Sequence, residues 1–196
     1  MIAYLQGKIT HKTPTNIHLD IGGIAYDVQI SLNTFAAIEE LSEVKLYTHM
    51  IVRDDHHALY GFFSDQEKTL FIKLLSVSGV GPNTGRVILS YMSPEETKSA
   101  ILTDNVAAFK KVKGVGPKTA QRIILDLKDK LGKEAADLMN TENLTGEPIR
   151  DEAISALVAL GFQKTMVTKQ VDKVLSQQKD VKQVETLIKS VLRQLS

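Results

Sequence analysis

The sequence contains no cysteine and no long apolar run. Without cysteine, a disulfide framework, a thiolate zinc site and a cysteine nucleophile are excluded. No apolar stretch approaches the roughly 20 residues that cross a bilayer, and the N-terminal MIAYLQGKITHK lacks the basic start and apolar core of a signal peptide. We therefore expect a cytoplasmic protein without membrane contact.

The charge of the chain is unevenly distributed, although the net charge is only +1. Residues 1–63 carry 4 Lys and Arg against 7 Asp and Glu, whereas residues 64–133 carry 12 against 7. A basic segment inside a nearly neutral chain indicates a local anionic partner.

Residues 1–63 have the pattern of short strands. IHLDI and IAYDVQI flank the pair Gly22 and Gly23, which is typical of a tight hairpin, and KLYTHMIV and ALYGFF follow a short helical stretch around 34–41. Five strands with one interposed helix predict a small β-barrel of the OB-fold kind. A two-layer α+β domain is the alternative.

The rest of the chain has helical periodicity with one interruption. Residues 64–133 form an all-α domain in which Ser93-Pro94-Glu95-Glu96 marks a helix start and Asp104 is placed to cap another helix. Residues 134–149 are acidic and aperiodic, which predicts a flexible linker. Residues 150–196 predict a three-helix domain. The expected fold class is therefore multi-domain α and β.

The most specific pattern is an internal repeat. GVGPNT begins at Gly79 and returns 35 residues later as GVGPKT at Gly114, and each copy lies between two helical runs. Two glycines permit a tight turn and a close approach of the backbone to a ligand. The proline then begins a helix whose first N–H groups lack intrahelical partners and favour an anion such as a DNA phosphate.

Side chains around both copies can add phosphate contacts. Backbone contacts carry no base code, so we expect binding that ignores sequence and weakens with salt. For one copy alone, a plain turn between packed helices is an equal alternative, whereas two copies in the basic segment favour DNA binding. The candidate DNA-binding residues are Gly79, Val80, Gly81, Asn83, Thr84, Lys110, Lys111, Lys113, Gly114, Val115, Gly116, Lys118 and Thr119.

An acidic turn lies between the last two strand-like segments, at Asp54 and Asp55. One interpretation is a solvated hairpin turn, because Asp is a common turn residue. Another is a divalent-metal site for phosphodiester hydrolysis that adds His56 and His57, with His49 as a further candidate ligand. We expect no catalytic or metal site, because adjacent ligands on a tight turn do not converge easily.

The two Gly-Val-Gly-Pro segments resemble the helix-hairpin-helix motif. Together with VRDDHHALYGF, the acidic linker and the helical C-terminus, they resemble the bacterial RuvA family over essentially the whole chain. The resemblance implies an OB-fold, binding to four-way (Holliday) junction DNA, and homotetramers, or octamers on DNA. It also implies partnership with the hexameric ATPase RuvB and with a junction resolvase, RuvC or an equivalent, in recombination, repair and the SOS response.

Particular residues take roles from this resemblance. Asp54 and Asp55 match the acidic pin at the centre of the family's tetramer, where carboxylates repel phosphates and disfavour continuous duplex. Leu157, Leu160 and Phe162 match the region that contacts the motor, and leucines at helical spacing are equally expected in a core.

The chain lacks the motif of a nucleotide-binding loop. No Gly-x-x-x-x-Gly-Lys-Ser/Thr occurs, so we expect no bound cofactor and a non-catalytic subunit whose partner supplies the energy. The alternatives are a structure-specific nuclease or repair lyase that uses the acidic turn, and a non-specific duplex-binding module.

Overall fold

The computed structural model describes residues 1–54, 57–143, 148–177 and 183–195, with only the backbone described at 133–143, 148 and 195. The chain divides into two compact units, residues 1–136 and 137–196. Within the described residues, no helix has both the length and the apolar character that spanning a membrane requires.

The N-terminal part is a closed five-stranded barrel, which confirms the predicted OB-fold. Its strands follow the order β1-β2-β3-β5-β4, with β3 and β5 parallel and the other pairs antiparallel. The elements are β1 (Tyr4–Lys12), β2 (Asn16–Ile21), β3 (Ile24–Ile30), α1 (Leu32–Ala37), β4 (Glu43–Val52) and β5 (His57–Phe62).

Alternation of apolar residues places one face of each strand inside the barrel. Ile17 and Leu19 of β2 are fully buried, and Val28 of β3 is their neighbour in the same core. Gly22 and Gly23 both have positive φ, of 65° and 94°, as the predicted hairpin turn requires.

The middle of the chain forms five helices. They are α2 (Asp65–Leu75), α3 (Pro82–Tyr91), α4 (Pro94–Leu102), α5 (Val106–Lys110) and α6 (Pro117–Asn143). Ser93 and Glu96 form the predicted capping box at the start of α4.

Helix α2 packs directly on the barrel, and the barrel and the helices up to residue 136 belong to the first compact unit. The ring of Phe71 on α2 lies 5.1 Å from that of Tyr60 and 4.9 Å from that of Phe62, both on β5. The α2 residue Glu67 is buried and accepts hydrogen bonds from the hydroxyls of Ser31, the N-cap of α1, and Thr34 within α1. An apolar and a polar contact therefore both fix the barrel to the helices.

Two local features differ from the sequence-based expectation. Asp104 does not cap α5: it has φ of 55° after the end of α4, and the side chain of Asn105 accepts the capping bond from Ala108 N–H. Helix α6 continues to Asn143, through most of the segment expected as a linker. Its Ala and Glu residues at 134–136 favour helix.

Beyond the end of α6, the described residues of the second unit form three helices, as predicted. They are α7 (Pro148–Ala159), α8 (Lys164–Gln177) and α9 (Val184–Leu195). Val167, Val171 and Val174 of α8 are buried in their shared core. Arg150 of α7 donates two hydrogen bonds to the carboxylate of Asp172 on α8, at 2.6 and 3.1 Å.

Candidate nucleic-acid interface

The two sequence repeats form two loops with the same backbone hydrogen bonds. In the first loop, Val77 N–H donates to Leu74 O and Val80 N–H to Val77 O. In the second loop, Val112 N–H donates to Phe109 O and Val115 N–H to Val112 O. The 35-residue repeat of the sequence is therefore a repeat of structure, and we call residues 76–84 the first hairpin and residues 111–119 the second hairpin.

The first glycine of each hairpin is required by its backbone conformation. Gly79 has φ of 92° and Gly114 has φ of 88°, in the left-handed region that side chains rarely adopt.

The second glycine of each hairpin has no such requirement. Gly81 has φ of −85°, Gly116 has no positive φ, and an added Cβ at either position would meet no atom within 4 Å. Neither backbone strain nor packing in the protein therefore calls for these two glycines. The missing side chain instead leaves the start of the following helix open to a ligand.

Each hairpin directs free backbone donors outward at the start of a helix. The first bond inside α3 runs from Gly85 N–H to Gly81 O, and the first inside α6 runs from Ala120 N–H to Gly116 O. The amides of Asn83 and Thr84 therefore lack an intrahelical acceptor, as do those of Lys118 and Thr119. No side chain caps α3 in their place.

The two valines of the hairpins have a structural role. Val80 and Val115 are buried in the core, and their N–H groups are already bonded within the hairpin. Their side chains therefore pack in the core, and their amides are not free to bind a phosphate.

The cations lie mainly on the second hairpin. The side chains of Lys111, Lys113 and Lys118 on this hairpin, and of Lys110 just before it at the end of α5, are exposed and make no hydrogen bond or ion pair with another described residue. Spread along one loop, these ammonium groups are available to anions from solvent.

The first hairpin is uncharged between residues 76 and 84. Its serines 76 and 78 occupy the positions of Lys111 and Lys113, and Asn83 occupies that of Lys118. The Oδ1 of Asn83 accepts a hydrogen bond from Arg86 at 3.0 Å.

Two arginines that the sequence interpretation missed connect the first hairpin to the barrel and to α6. Arg86 on α3 donates to Thr15 O in the barrel at 3.0 Å, and Arg122 on α6 lies 3.4 Å from Ser78 O in the first hairpin. Arg122 and Ser78 are 44 residues apart in the sequence, so only folding brings them together.

The acidic turn is partly described. Asp54 is exposed in the turn between β4 and β5, where Val52 pairs with His57. Asp55 and His56 lie outside the described residues. His49 lies further along β4 against Phe71, and burial and the nearby Lys68 lower its pKa. Among the residues that the structure describes, no three His, Asp or Glu side chains converge on a metal-sized site.

The three candidate motor-binding residues differ in how far their side chains are buried. Leu157 is fully buried in the core of α7, α8 and α9, so its side chain has no surface for a partner. Phe162 packs partly against that core, and Leu160 is 62% exposed; Val158 and Met166 of the same unit are exposed as well. Gly161, with φ of 97°, forms the turn that presents Leu160.

The barrel and the paired hairpins define an OB-fold protein with a tandem helix-hairpin-helix DNA-binding domain. Three family descriptions match the chain: "RuvA N terminal domain" at residues 1–61, "SAM-like Helix-hairpin-helix tandem" at 71–129 and "RuvA, C-terminal domain" at 148–196. The chain belongs to the RuvA family.

Relatives match over the full length. A protein of Cytophaga hutchinsonii is 43% identical, with 98% of this chain and 99% of the relative covered. One of Flavobacterium psychrophilum is 42% identical, with 100% of both chains covered. Both relatives carry the name "Holliday junction branch migration complex subunit RuvA".

Proposed function

We propose that this chain is a non-catalytic, cytoplasmic protein that binds four-way junction DNA by shape, holds it open and recruits the RuvB ATPase for branch migration. The observation that carries the proposal is the pair of hairpins with matching backbones, each of which leaves amide donors free beside an open glycine. Membership of the RuvA family and the names of its relatives support it.

The hairpins bind the phosphodiester backbone rather than the bases. Free amides at a helix start are donors for phosphate oxygens, and the four lysines at 110, 111, 113 and 118 add charge without base recognition. Two hairpins in one subunit hold two places on a DNA arm. Affinity should therefore fall steeply with salt and vary little with base sequence.

The acidic pin supplies the preference for a junction. Arg53, next to Asp54, lines the same cleft as Pro82 and Asn83, so the turn that carries Asp54 lies on the side of the unit that bears the first hairpin. Asp54, with Asp55, then repels phosphates at the place where strands separate, and continuous duplex bound there would bring phosphates against carboxylates.

A homotetramer gives each of the four DNA arms a pair of hairpins, and a second tetramer on the opposite face of the junction gives an octamer. The exposed surface around Leu160 is the contact for RuvB, which supplies the ATP hydrolysis. The open junction also leaves its centre accessible to a resolvase such as RuvC.

A gel-shift titration tests this function. The purified chain is titrated on a four-way junction and on linear duplex built from its arms, first with EDTA and then with magnesium. We expect much tighter binding to the junction, with both DNAs uncut.

Two other outcomes would replace the proposal. Equal affinity for the two DNAs would leave a duplex-binding module. Magnesium-dependent cutting that Asp54→Asn abolishes would make the protein a nuclease.

A further inference from the structure

The first hairpin has an open phosphate-facing backbone but no cation of its own. Positions that hold Lys111, Lys113 and Lys118 in the second hairpin hold Ser76, Ser78 and Asn83 in the first. The nearest arginine in sequence, Arg86, already donates to Thr15 O and to Asn83 Oδ1. Arg122 and Lys130 of α6 reach the other end of this hairpin, at Ser78 O and Ser76 Oγ. If both hairpins bind phosphate, a free cation beside the helix start at Pro82 and Asn83 must come from another element of the fold.

A cleft of about 190 Å³ lies between the barrel and the first hairpin. Ile51, Arg53, Ala58 and Tyr60 line it from β4, β5 and their turn, and Pro82 and Asn83 line it from α3. Arg53 is exposed and makes no hydrogen bond or ion pair with another described residue. It follows Ile51 by two residues, so both side chains lie on the face of the hairpin that borders the cleft.

We propose that Arg53 supplies, across the cleft, a phosphate-binding cation at the helix start of the first hairpin, in place of the lysine that the second hairpin carries as Lys118. The proposal rests on the proposed DNA binding of the two hairpins. A guanidinium binds a phosphate through two parallel N–H donors, so it is well suited to reach a phosphate from a neighbouring element.

The position of Arg53 also places a charge that attracts phosphate next to a charge that repels it. Arg53 immediately precedes Asp54 of the acidic pin. One residue would hold a phosphate while the next repels another, so the strand is fixed directly beside the point where strands separate. Arg53 is in this respect a residue that determines preference for the junction as well as affinity.

The test measures binding of the full-length chain to a four-way junction by fluorescence anisotropy over a range of KCl concentrations. We expect Arg53→Gln to lower affinity by about tenfold or more, as loss of a charge-assisted bond does, and to reduce the slope of log K against log salt by about one for each Arg53 on the DNA. Arg193→Gln, which removes an exposed arginine from α9, is the matched control and should change neither quantity.

A rescue variant uses the repeat itself. Asn83 occupies the position of Lys118, so Asn83→Lys in the Arg53→Gln background places a lysine where the second hairpin already has one. We expect this double variant to regain most of the salt slope. Thermal unfolding of each variant identifies any loss that comes from misfolding.

The outcomes separate the two proposals. If Lys118→Gln weakens binding but Arg53→Gln behaves like Arg193→Gln, Arg53 has no such role and the DNA-binding function stands. If neither Lys118→Gln nor Arg53→Gln changes binding or its salt slope, the hairpins do not bind phosphate and the proposed function fails. A change in junction preference by Arg53→Gln with an unchanged salt slope would make Arg53 a partner of the pin instead.

Discussion

At the scale of single residues, the buried carboxyl of Glu67 is an unusual group in this protein. Ser31 Oγ accepts from Thr34 N–H and donates to Glu67, while Thr34 Oγ1 accepts from Phe63 N–H and donates to the other carboxyl oxygen. Burial nevertheless raises the pKa of Glu67, which the two hydroxyl bonds lower only in part. The contact between the barrel and the helices therefore contains a carboxyl group, that of Glu67, whose ionised form burial disfavours.

A pH dependence of stability follows from the raised pKa of Glu67. The folded chain binds this proton more tightly than the unfolded chain, whose pKa is near the ordinary value of 4.5. The stabilisation from Glu67 is full below pH 4.5 and is lost as pH rises through the folded-state pKa, with a slope of at most about 1.4 kcal/mol per pH unit. We expect the free energy of unfolding of the wild type, minus that of Glu67→Gln, to fall as pH rises above 4.5.

Denaturant unfolding between pH 4.5 and 8 measures this difference. Glu40→Gln changes the charge by the same amount at an exposed position and is the control. A difference that increases with pH would mean that the hydroxyl bonds outweigh burial and that the carboxylate is the favoured form in the fold.

At the scale of elements, the starts of α3 and α6 are places where a substitution should affect helix stability and DNA binding in different ways. The N-cap residue of helix α3 is Gly81, which provides no side-chain cap, although serine is one of the best N-cap residues. A serine there would bond the free amides of the first turn and occupy the open space beside them. Neither the stability nor the packing of the helix favours glycine over serine at this position.

We expect Gly81→Ser and Gly116→Ser to weaken junction binding by about tenfold while leaving the melting temperature equal or higher, because the serine hydroxyl competes with phosphate for the same amides. Gly61→Ala is the contrasting control. Its Cβ would lie 2.5 Å from Val28 Cγ1 inside the barrel, so that variant should lose stability. Unchanged binding by both serine variants would show that the helix starts do not contact DNA.

At the scale of the whole molecule, the candidate surfaces divide between the two compact units. All candidate DNA-binding residues and Asp54 lie within residues 1–136, and the exposed Leu160 lies within 137–196. Each unit has its own core, so a surface change in one should leave the other intact.

We expect Leu160→Glu to abolish stimulation of the RuvB ATPase and of branch migration while junction affinity stays within about twofold of wild type, because a charge at an exposed position outside the DNA-binding unit is nearly neutral for stability. Leu157→Ala, which removes a fully buried side chain, should instead lower the melting of the second unit. If Leu160→Glu supports normal RuvB activity, the motor contacts another surface.

Much of this organisation follows from the sequence by itself. Alternating residues predict β2 and β3, the glycine pair between them predicts their turn, and Ser93 with Glu96 predicts the start of α4, because these signals act over a few neighbouring residues. The 35-residue repeat likewise shows both hairpins, since each consists of local backbone geometry.

Other features depend on contacts between residues that are distant in sequence, and only the tertiary structure decided them. The burial of Leu157 and the exposure of Leu160 depend on which side of α7 meets α8 and α9, and an apolar spacing alone does not separate core from contact surface. Glu67 is buried because α2 packs against α1, and Arg53 reaches the first hairpin because β4 ends beside α3. Local sequence determined the elements of this protein, whereas long-range packing determined which of its charges and apolar groups face each other, a core or solvent.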